Sequence, residues 1–575
     1  MSACRTIFRT LLILGCLLLL EQADIFAARP AAPPFTLAAS EESARPAKMD
    51  SAIARLARLG ANPLAEEEAR ALGLPLERGR VQVNLSIAGG AVEAVVRAVV
   101  AAGGIVTGQI EGGRRLQAWL PIEALTPLAT RNDILMIRRP SFAEPLAGPI
   151  TSEGTMVSGA SVWHAAGWIG QGVRIGIIDV GFEGYTALLG SELPASVVAK
   201  NFVDGQTDAQ VDGTTPHGTA CAEIVHDMAP GAALYLAKIA TDVDLAEAVA
   251  WLKDAQHVQI ISTSLGFFNL SPGDGTGPLA DLAQSVEQAG ILWVTAAGNY
   301  RQSHWGGPWL DADGDGKLEF GPSLETNRIK INGSFSLPPY ITIRAYLRWS
   351  DWSAVNQDYD LFLMRWTGSA WEAIASSTNP QTGAPGQMPT EALQGTTYGV
   401  PTEYAIVIQR YNASRAVHFE LFVPDADELQ APVYARSLVT PADAQSILAV
   451  GAVKSRDPYG QEPYSSEGPT NGPGGVASGG FPKPDLAAYD AVSTSSWGEF
   501  AGTSASTPHV AGAAALVWGA FPDYSAAQVR SFLEGRAIDM GSLGRDTQYG
   551  YGRLSLGATP LVDIKMRLWL PLLRR

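Results

Sequence analysis

From Val173 onward, short runs of uniformly apolar residues recur between segments of helical periodicity, and this rhythm restricts the fold more than any other feature of the chain. The runs VRIGIID, ALYLAKI, VQIISTSLG, ILWVTAAGN and SILAVGAV are each bounded by turn residues. Between them, VDLAEAVAWLKDA and LADLAQSVEQAG repeat apolar residues at helical spacing. Strands that are apolar on both faces need cover on both faces, which a parallel sheet with crossover helices provides. The expected class is α/β with a doubly wound, mostly parallel sheet. In such sheets, sites lie beyond the carboxyl ends of the strands.

The rhythm breaks after Asn299. Residues 301–431 are rich in Trp, Tyr, Ser and Thr with alternating apolar positions, as in ITIRAYLRWSDW, DYDLFLMRW, EYAIVIQRY and AVHFELFV, and predict an inserted all-β domain. The α/β pattern resumes at VTPADAQSILAVGAV, so the main domain is split into 150–300 and 432–556. Upstream, 76–145 alternates strands (VQVNLSI, RRLQAWLP, ILMIRRP) with helices (GAVEAVVRAVVAAGG, IEALTPLATRND) in a small α+β domain, closed by the linker-like SFAEPLAGPITSEG. Residues 29–75 are rich in Ala, Pro, Glu and Arg, with helical character near Ser51 to Leu72.

Residues 1–28 place Arg5 and Arg9 before an apolar core from Leu11 to Leu20, followed by Ala27 and Ala28. This is the pattern of a secretory signal peptide, and the expected location is secreted, extracellular or cell-surface associated. The tail 557–575 is apolar with a basic end and too short to span a bilayer, so no stable membrane anchor is expected. Cys4 and Cys16 fall within the signal, which leaves Cys221 alone and no intramolecular disulfide. A net charge of −16 argues against a nucleic-acid partner, because phosphate binding rests on clustered Lys and Arg.

The stretch GTSASTPHVAGAAAL, 502–516, raises the question of chemistry. Ser504 opens an apolar helix, where a hydroxyl serves either as a cap or as a nucleophile. A nucleophilic serine needs a base, an orienting carboxylate and donors for the oxyanion. Of seven histidines, His217 in TTPHGTACAE stands at a turn-to-helix junction, while His509 lies inside the apolar helix and reads as structural. Asp179 ends the strand VRIGIID, and Asn299 follows Gly298 at the end of another. Asn299 and the Ser504 N–H are the candidate oxyanion donors.

With these residues in the order Asp179, His217, Asn299, Ser504, the chain resembles the subtilisin-like serine proteases. The resemblance lies in IIDVG, HGTACAE, AAGN and GTSASTPHVAG. It implies a secreted endopeptidase working through an acyl-enzyme on Ser504, with His217 as base, Asp179 orienting it and Asn299 in the oxyanion hole. It further implies protein or peptide substrates, no cofactor for the chemistry, and a propeptide, here the α+β domain, that acts as an intramolecular inhibitor until cleavage at about Phe142 to Val157. ISTSLG resembles the strand that binds substrate backbone, assigning Ser262, Ser264, Leu265 and Gly266 to substrate binding. A thiol-bearing branch of the family carries Cys at the place of Cys221; a small packing residue is the other reading.

Two departures stand out. Val180 follows the catalytic Asp where the family has Ser or Thr, and the insertion separates Asn299 from Ser504. Inside the insertion, DADGDGKLEF sets Asp311, Asp313 and Asp315 at alternate positions before a glycine, which suits either a structural calcium loop or a solvated turn. It departs from the EF-hand pattern in having Pro322 at the twelfth position. A sedolisin would want a Glu near His217 and an Asp in place of Asn299. A catalytically silent adhesion or binding protein on the same scaffold is the alternative from another class.

Overall fold

The computed structural model describes residues 48, 49, 51–60, 62, 65, 76, 77, 79–110, 115–138, 151–203 and 205–560. The expected signal, much of 29–75, the linker from 142 to 150 and the tail from 561 lie outside the described residues. The chain divides into two compact units, Met1–Leu146 and Ala147–Arg575.

The larger unit is built on a seven-stranded sheet. Its strands are β1 (Arg174–Asp179), β2 (Val198–Asn201), β3 (Ala233–Lys238), β4 (Ile260–Thr263), β5 (Leu292–Ala296), β6 (Leu448–Lys454) and β7 (Leu486–Asp490). They lie in the order β7-β6-β5-β4-β1-β3-β2, and every neighbouring pair is parallel. Five coincide with the apolar runs of the sequence. The other two carried weak signals: β2 is a short edge strand whose Val198 is exposed, and β7 (LAAYD) is too short and Ala-rich to show a period.

Alternation along the strands sends successive side chains into separate cores. Ile177, Ile260, Leu292 and Val294 pack on one face with Ile224 and Val225 of helix α1 (His217–Met228) and Val510 and Leu516 of α4 (Thr503–Ala520). Their neighbours Ile178, Ile261 and Trp293 pack on the other, with Leu245 and Val249 of α2 (Asp242–Ala250) and Leu279 and Val286 of α3 (Pro278–Gln288). Helix α5 (Ala526–Arg536) adds Val529 and Leu533 to the first face. The sheet is thus doubly wound. Helix α4 is buried on all sides from Thr503 to Trp518, as its uniformly small and apolar sequence predicts.

Between β5 and β6 the chain forms two antiparallel sheets around one core. One holds Thr342–Trp349 between His418–Phe422 and Thr390–Thr396, with His304–Pro308 outermost. The other pairs Asp358–Trp366 with Trp371–Ser377 and Thr402–Asn412, and continues to Asn327–Lys330. Leu347, Trp349, Tyr359, Leu361, Ile406 and Phe419 fill the space within this all-β insertion. An aromatic cluster mounts it on the parallel sheet: Phe268 stacks on Tyr346 at 4.5 Å between ring centroids and meets Tyr300 edge-on at 5.2 Å.

The smaller unit has a five-stranded antiparallel sheet in which Arg80–Ile87 pairs with Leu76–Glu77, Arg115–Pro121 and Ile134–Arg138. Helices Val92–Ala101 and Leu125–Ala129 supply Val95, Val99, Leu125 and Leu128 to its core, against alternate buried residues Val81, Val83, Leu85 and Ile87. The strand Ile105–Ile110 was not expected, since IVTGQI has no clear alternation and contains Gly108. Among the described residues, no helix is long and apolar enough to cross a membrane.

One tie at the start of the larger unit is sensitive to pH. The Ser152 N–H donates to Asp227 Oδ2 at 2.7 Å. Burial, aided by the nearby charges of Glu192, Glu223 and Glu153, raises the Asp227 pKa to about 7. Because this pKa is above its unfolded value, the contribution to stability is present under acidic conditions and lost as pH rises through 7. Asp227→Asn keeps an acceptor for Ser152 and removes the charge. Thermal melts should show the variant more stable than wild type by about 1–2 kcal/mol at pH 8, with the difference vanishing near pH 4.

Candidate active site

Several pieces of the fold converge at the carboxyl edge of the parallel sheet. Asp179 is the last residue of β1, His217 the first of α1, and Ser264 to Gly266 continue beyond β4. Asn299 follows β5, and Ser504 lies in the first turn of α4. Residues distant in sequence meet here because parallel strands end on one side.

Asp179 is fully buried, and its Oδ2 lies 2.8 Å from His217 Nδ1. Its Oδ1 accepts the Val180 N–H at 2.8 Å, so backbone supplies a hydrogen bond at the position where Val180 offers no hydroxyl. Burial works against protonation of His217, but the charge and hydrogen bond of Asp179 outweigh it, and the imidazole pKa lies above its ordinary value. A carboxylate on Nδ1 also fixes the tautomer, leaving Nε2 free to accept a proton.

Ser504 stands just after Gly502, whose φ of +105° and close approach to Asn299 require glycine. A methyl there would come within 2.9 Å of Asn299 Nδ2. The Gly502 N–H is held by Asp490 Oδ1, at the end of β7. The Ser504 hydroxyl donates to the Ser264 carbonyl at 3.4 Å. Its own carbonyl is held unusually. Four residues on, Pro508 lacks the N–H that would close the helical bond to it. Ser264 Oγ at 3.0 Å and Cys221 Sγ at 3.6 Å donate instead. Burial, and after it the charge of Asp179, push the Cys221 thiol well up, so it remains a neutral donor.

Asn299 is exposed, yet its carboxamide is fixed. Oδ1 accepts from the Thr503 N–H at 2.9 Å and from Thr503 Oγ1 at 3.0 Å, while the Gly298 N–H donates to Thr503 Oγ1 at 3.3 Å. These contacts hold Nδ2 beside Gly502 at the start of the Ser504 turn, where the Ala505 and Ser506 N–H groups already bond the Gly502 carbonyl at 2.9 and 3.4 Å. Thr503, Asp490 and the carbonyl-holding role of Ser264 were not read from the sequence. The spacing of Pro508 from Ser504 was the available signal for the last.

Of the residues assigned to substrate binding, Ser262 is not brought to this surface: it is buried mid-sheet between β1 and β5. Leu265 is half-buried and Gly266 exposed beyond the strand. His509 is buried in α4, bonded to the Ala505 carbonyl and to Ser152 Oγ. The carboxylates of Asp311, Asp313 and Asp315 gather within 4.8 Å of one another in the insertion, apart from the other site residues.

A parallel α/β sheet with an Asp–His pair, a helix-borne serine and a fixed asparagine at its carboxyl edge defines a recognisable class. The profile of the Subtilase family matches residues 170–406 and 429–552, and the chain belongs to that family. Subtilisin DY of Bacillus licheniformis is 35% identical over 118 residues, which cover 20% of this chain and 38% of that protein. Subtilisin E of Bacillus subtilis is 35% identical over the same length, covering 28% of that protein. An extracellular serine protease of Serratia marcescens is 40% identical over 60 residues, 10% of this chain and 6% of that protein. The chain therefore spans 38% or less of the length of each of these relatives. The solved structure of the Clostridium perfringens CspB protease superposes with a TM-score of 0.48 and 17% identity over 70% of this chain and 97% of that one.

Thr503→Val removes both hydroxyl contacts, to Asn299 and Gly298, and leaves the backbone tie. If Asn299 serves as an oxyanion donor in peptide hydrolysis, the variant should lose roughly 10- to 100-fold in kcat with KM nearly unchanged.

Proposed function

We propose that the chain is a secreted serine endopeptidase made as a zymogen, with Ser504 as nucleophile. The observation that carries this reading is the buried Asp179–His217 pair, 2.8 Å apart, on the same sheet edge as Ser504 and Asn299. In the first step, Ser504 rotates from the Ser264 carbonyl toward His217 and attacks the peptide carbonyl carbon as its proton passes to Nε2. Asn299 Nδ2 and the Ser504 N–H take the charge that develops on the oxygen. Electrostatics of this kind act most strongly when the donors are already in place, as the Thr503 contacts hold Asn299. His217 then returns the proton to the leaving amine, and water releases the acyl group by the reverse path.

Protein or peptide substrates follow from the chemistry. The α+β unit is proposed as the propeptide that inhibits the enzyme before cleavage, and the N-terminal 28 residues as the export signal. Labelling with a fluorophosphonate tests the core of this reading: intact matured protein should label at Ser504, Ser504→Ala should not, and His217→Ala should label far more slowly. An unlabelled wild type would instead favour a scaffold that binds without catalysis.

The proposal extends to a structural calcium in the insertion. Three carboxylates lie within 4.8 Å, and Asp311 Oδ1 is buried with no hydrogen-bond partner, as an unfilled ligand position would be. Arg410 reaches Asp311 Oδ2 at 3.3 Å and Lys317 pairs with Asp315, so a cation there competes with these side chains. Titration calorimetry of the full chain with calcium chloride should give saturable heat and a raised Tm, both lost in Asp311→Asn. Absence of heat in the wild type would retire the calcium.

A further inference from the structure

The space beside the nucleophile is closed at its floor by one side chain from beyond the insertion. Ser264 and Asn299 flank Ser504, and the backbone leaving each presents a glycine: Gly266 two residues after Ser264, and Gly298 immediately before Asn299. The bare faces of both glycines look at the same atom. A methyl built on Gly266 would come within 2.3 Å of Val439 Cγ2, and one on Gly298 within 3.2 Å of that carbon. Val439 is 3% exposed. It is locked in place by its N–H to the Ala297 carbonyl at 3.3 Å, and by the Phe267 N–H to the Thr440 carbonyl at 2.8 Å.

A peptide carbonyl carbon bonded to Ser504 Oγ, with its oxygen toward Asn299 Nδ2, places the adjoining acyl-side Cα between Ser264 and Asn299. The side chain on that Cα then enters between Gly266 and Gly298. Paired glycines at such a position would ordinarily leave a deep slot, but here a branched side chain stands at its bottom. Ser466 Oγ and the Tyr300 ring, 2.9 and 3.1 Å from a methyl built on Gly298, crowd the same wall. Tyr300 is itself pinned by the aromatic cluster that mounts the inserted domain. The wall therefore cannot withdraw without moving that domain.

We infer that Val439 seals this slot and restricts cleavage to bonds following small residues, Gly, Ala or Ser. The inference rests on the reading of Ser504 as a peptidase nucleophile. An added methylene that a hydrophobic pocket does or does not accommodate changes specificity by about 10–200-fold, and Phe against Ala exceeds one methylene.

The test is a series of fluorogenic peptides that differ only in the acyl-side residue (Gly, Ala, Ser, Leu, Phe), hydrolysed by matured full-length protein. Wild type should show kcat/KM at least tenfold higher for Ala than for Phe. Val439→Ala and Val439→Gly should each raise the Phe-to-Ala ratio tenfold or more, mainly through Phe. Fluorophosphonate labelling of every preparation reports a competent site, and the wild-type ratio decides the matter even if a variant does not fold. Ser504-dependent hydrolysis in which wild type cuts after Phe as well as after Ala overturns the inference while leaving the peptidase reading intact. No Ser504-dependent hydrolysis of any peptide overturns both.

Discussion

The site is organised around a hydrogen bond that helix α4 cannot make. Pro508 has no amide to offer the Ser504 carbonyl, so that buried acceptor would cost free energy unless something else reached it. Ser264, just past β4, and Cys221, on α1, both reach it. One missing helical bond thereby ties the backbone of Ser504 to a strand end and to the helix that starts with His217. The tie fixes the position of Ser504 without using its hydroxyl, which remains able to turn.

The same economy runs through the surrounding loops. Asp490 at the end of β7 holds the amide of Gly502, and Glu223 on α1 holds the amides of Ser495 and Ser496 in the loop leading to it. Burial raises the Asp490 pKa to about 6, and Glu223 is likewise raised by burial. The acidic groups that shape the entrance to α4 are thus buried ones held by backbone donors, and the chain accepts their desolvation to hold the Ser504 turn still. The insertion joins this frame through Tyr300, the residue immediately after Asn299, so a domain of separate core is anchored at the edge of the site.

Much of the fold was legible because burial on two faces leaves an unmistakable mark. Ile177–Ile178 and Leu292–Trp293–Val294 feed alternate cores, and a sheet covered by helices on both sides accommodates such runs. Several strands without that mark went unread, among them β2 at the sheet edge, β7 with its alanines, Ile105–Ile110 in the smaller unit, and Trp371–Ser377 and Thr390–Thr396 in the insertion. The candidate site was legible in part. Asp179, His217, Asn299 and Ser504 carry chemistry that few residue types can supply at strand ends and helix starts. Thr503, by contrast, looks like any helix-opening threonine until Asn299 is seen against it.

What the sequence determined by itself was therefore the class of fold and the small set of residues whose chemistry makes them candidates for a reactive site. Periodicity and residue chemistry are local properties, and both survive without coordinates. Only the tertiary structure decided that Ser264 supports Ser504 from behind, that Ser262 is sealed inside the sheet, and that Val439 fills the gap between Gly266 and Gly298. These facts depend on which side chains meet across strands and loops far apart in the chain. Long-range contact follows from packing, and no local pattern records it.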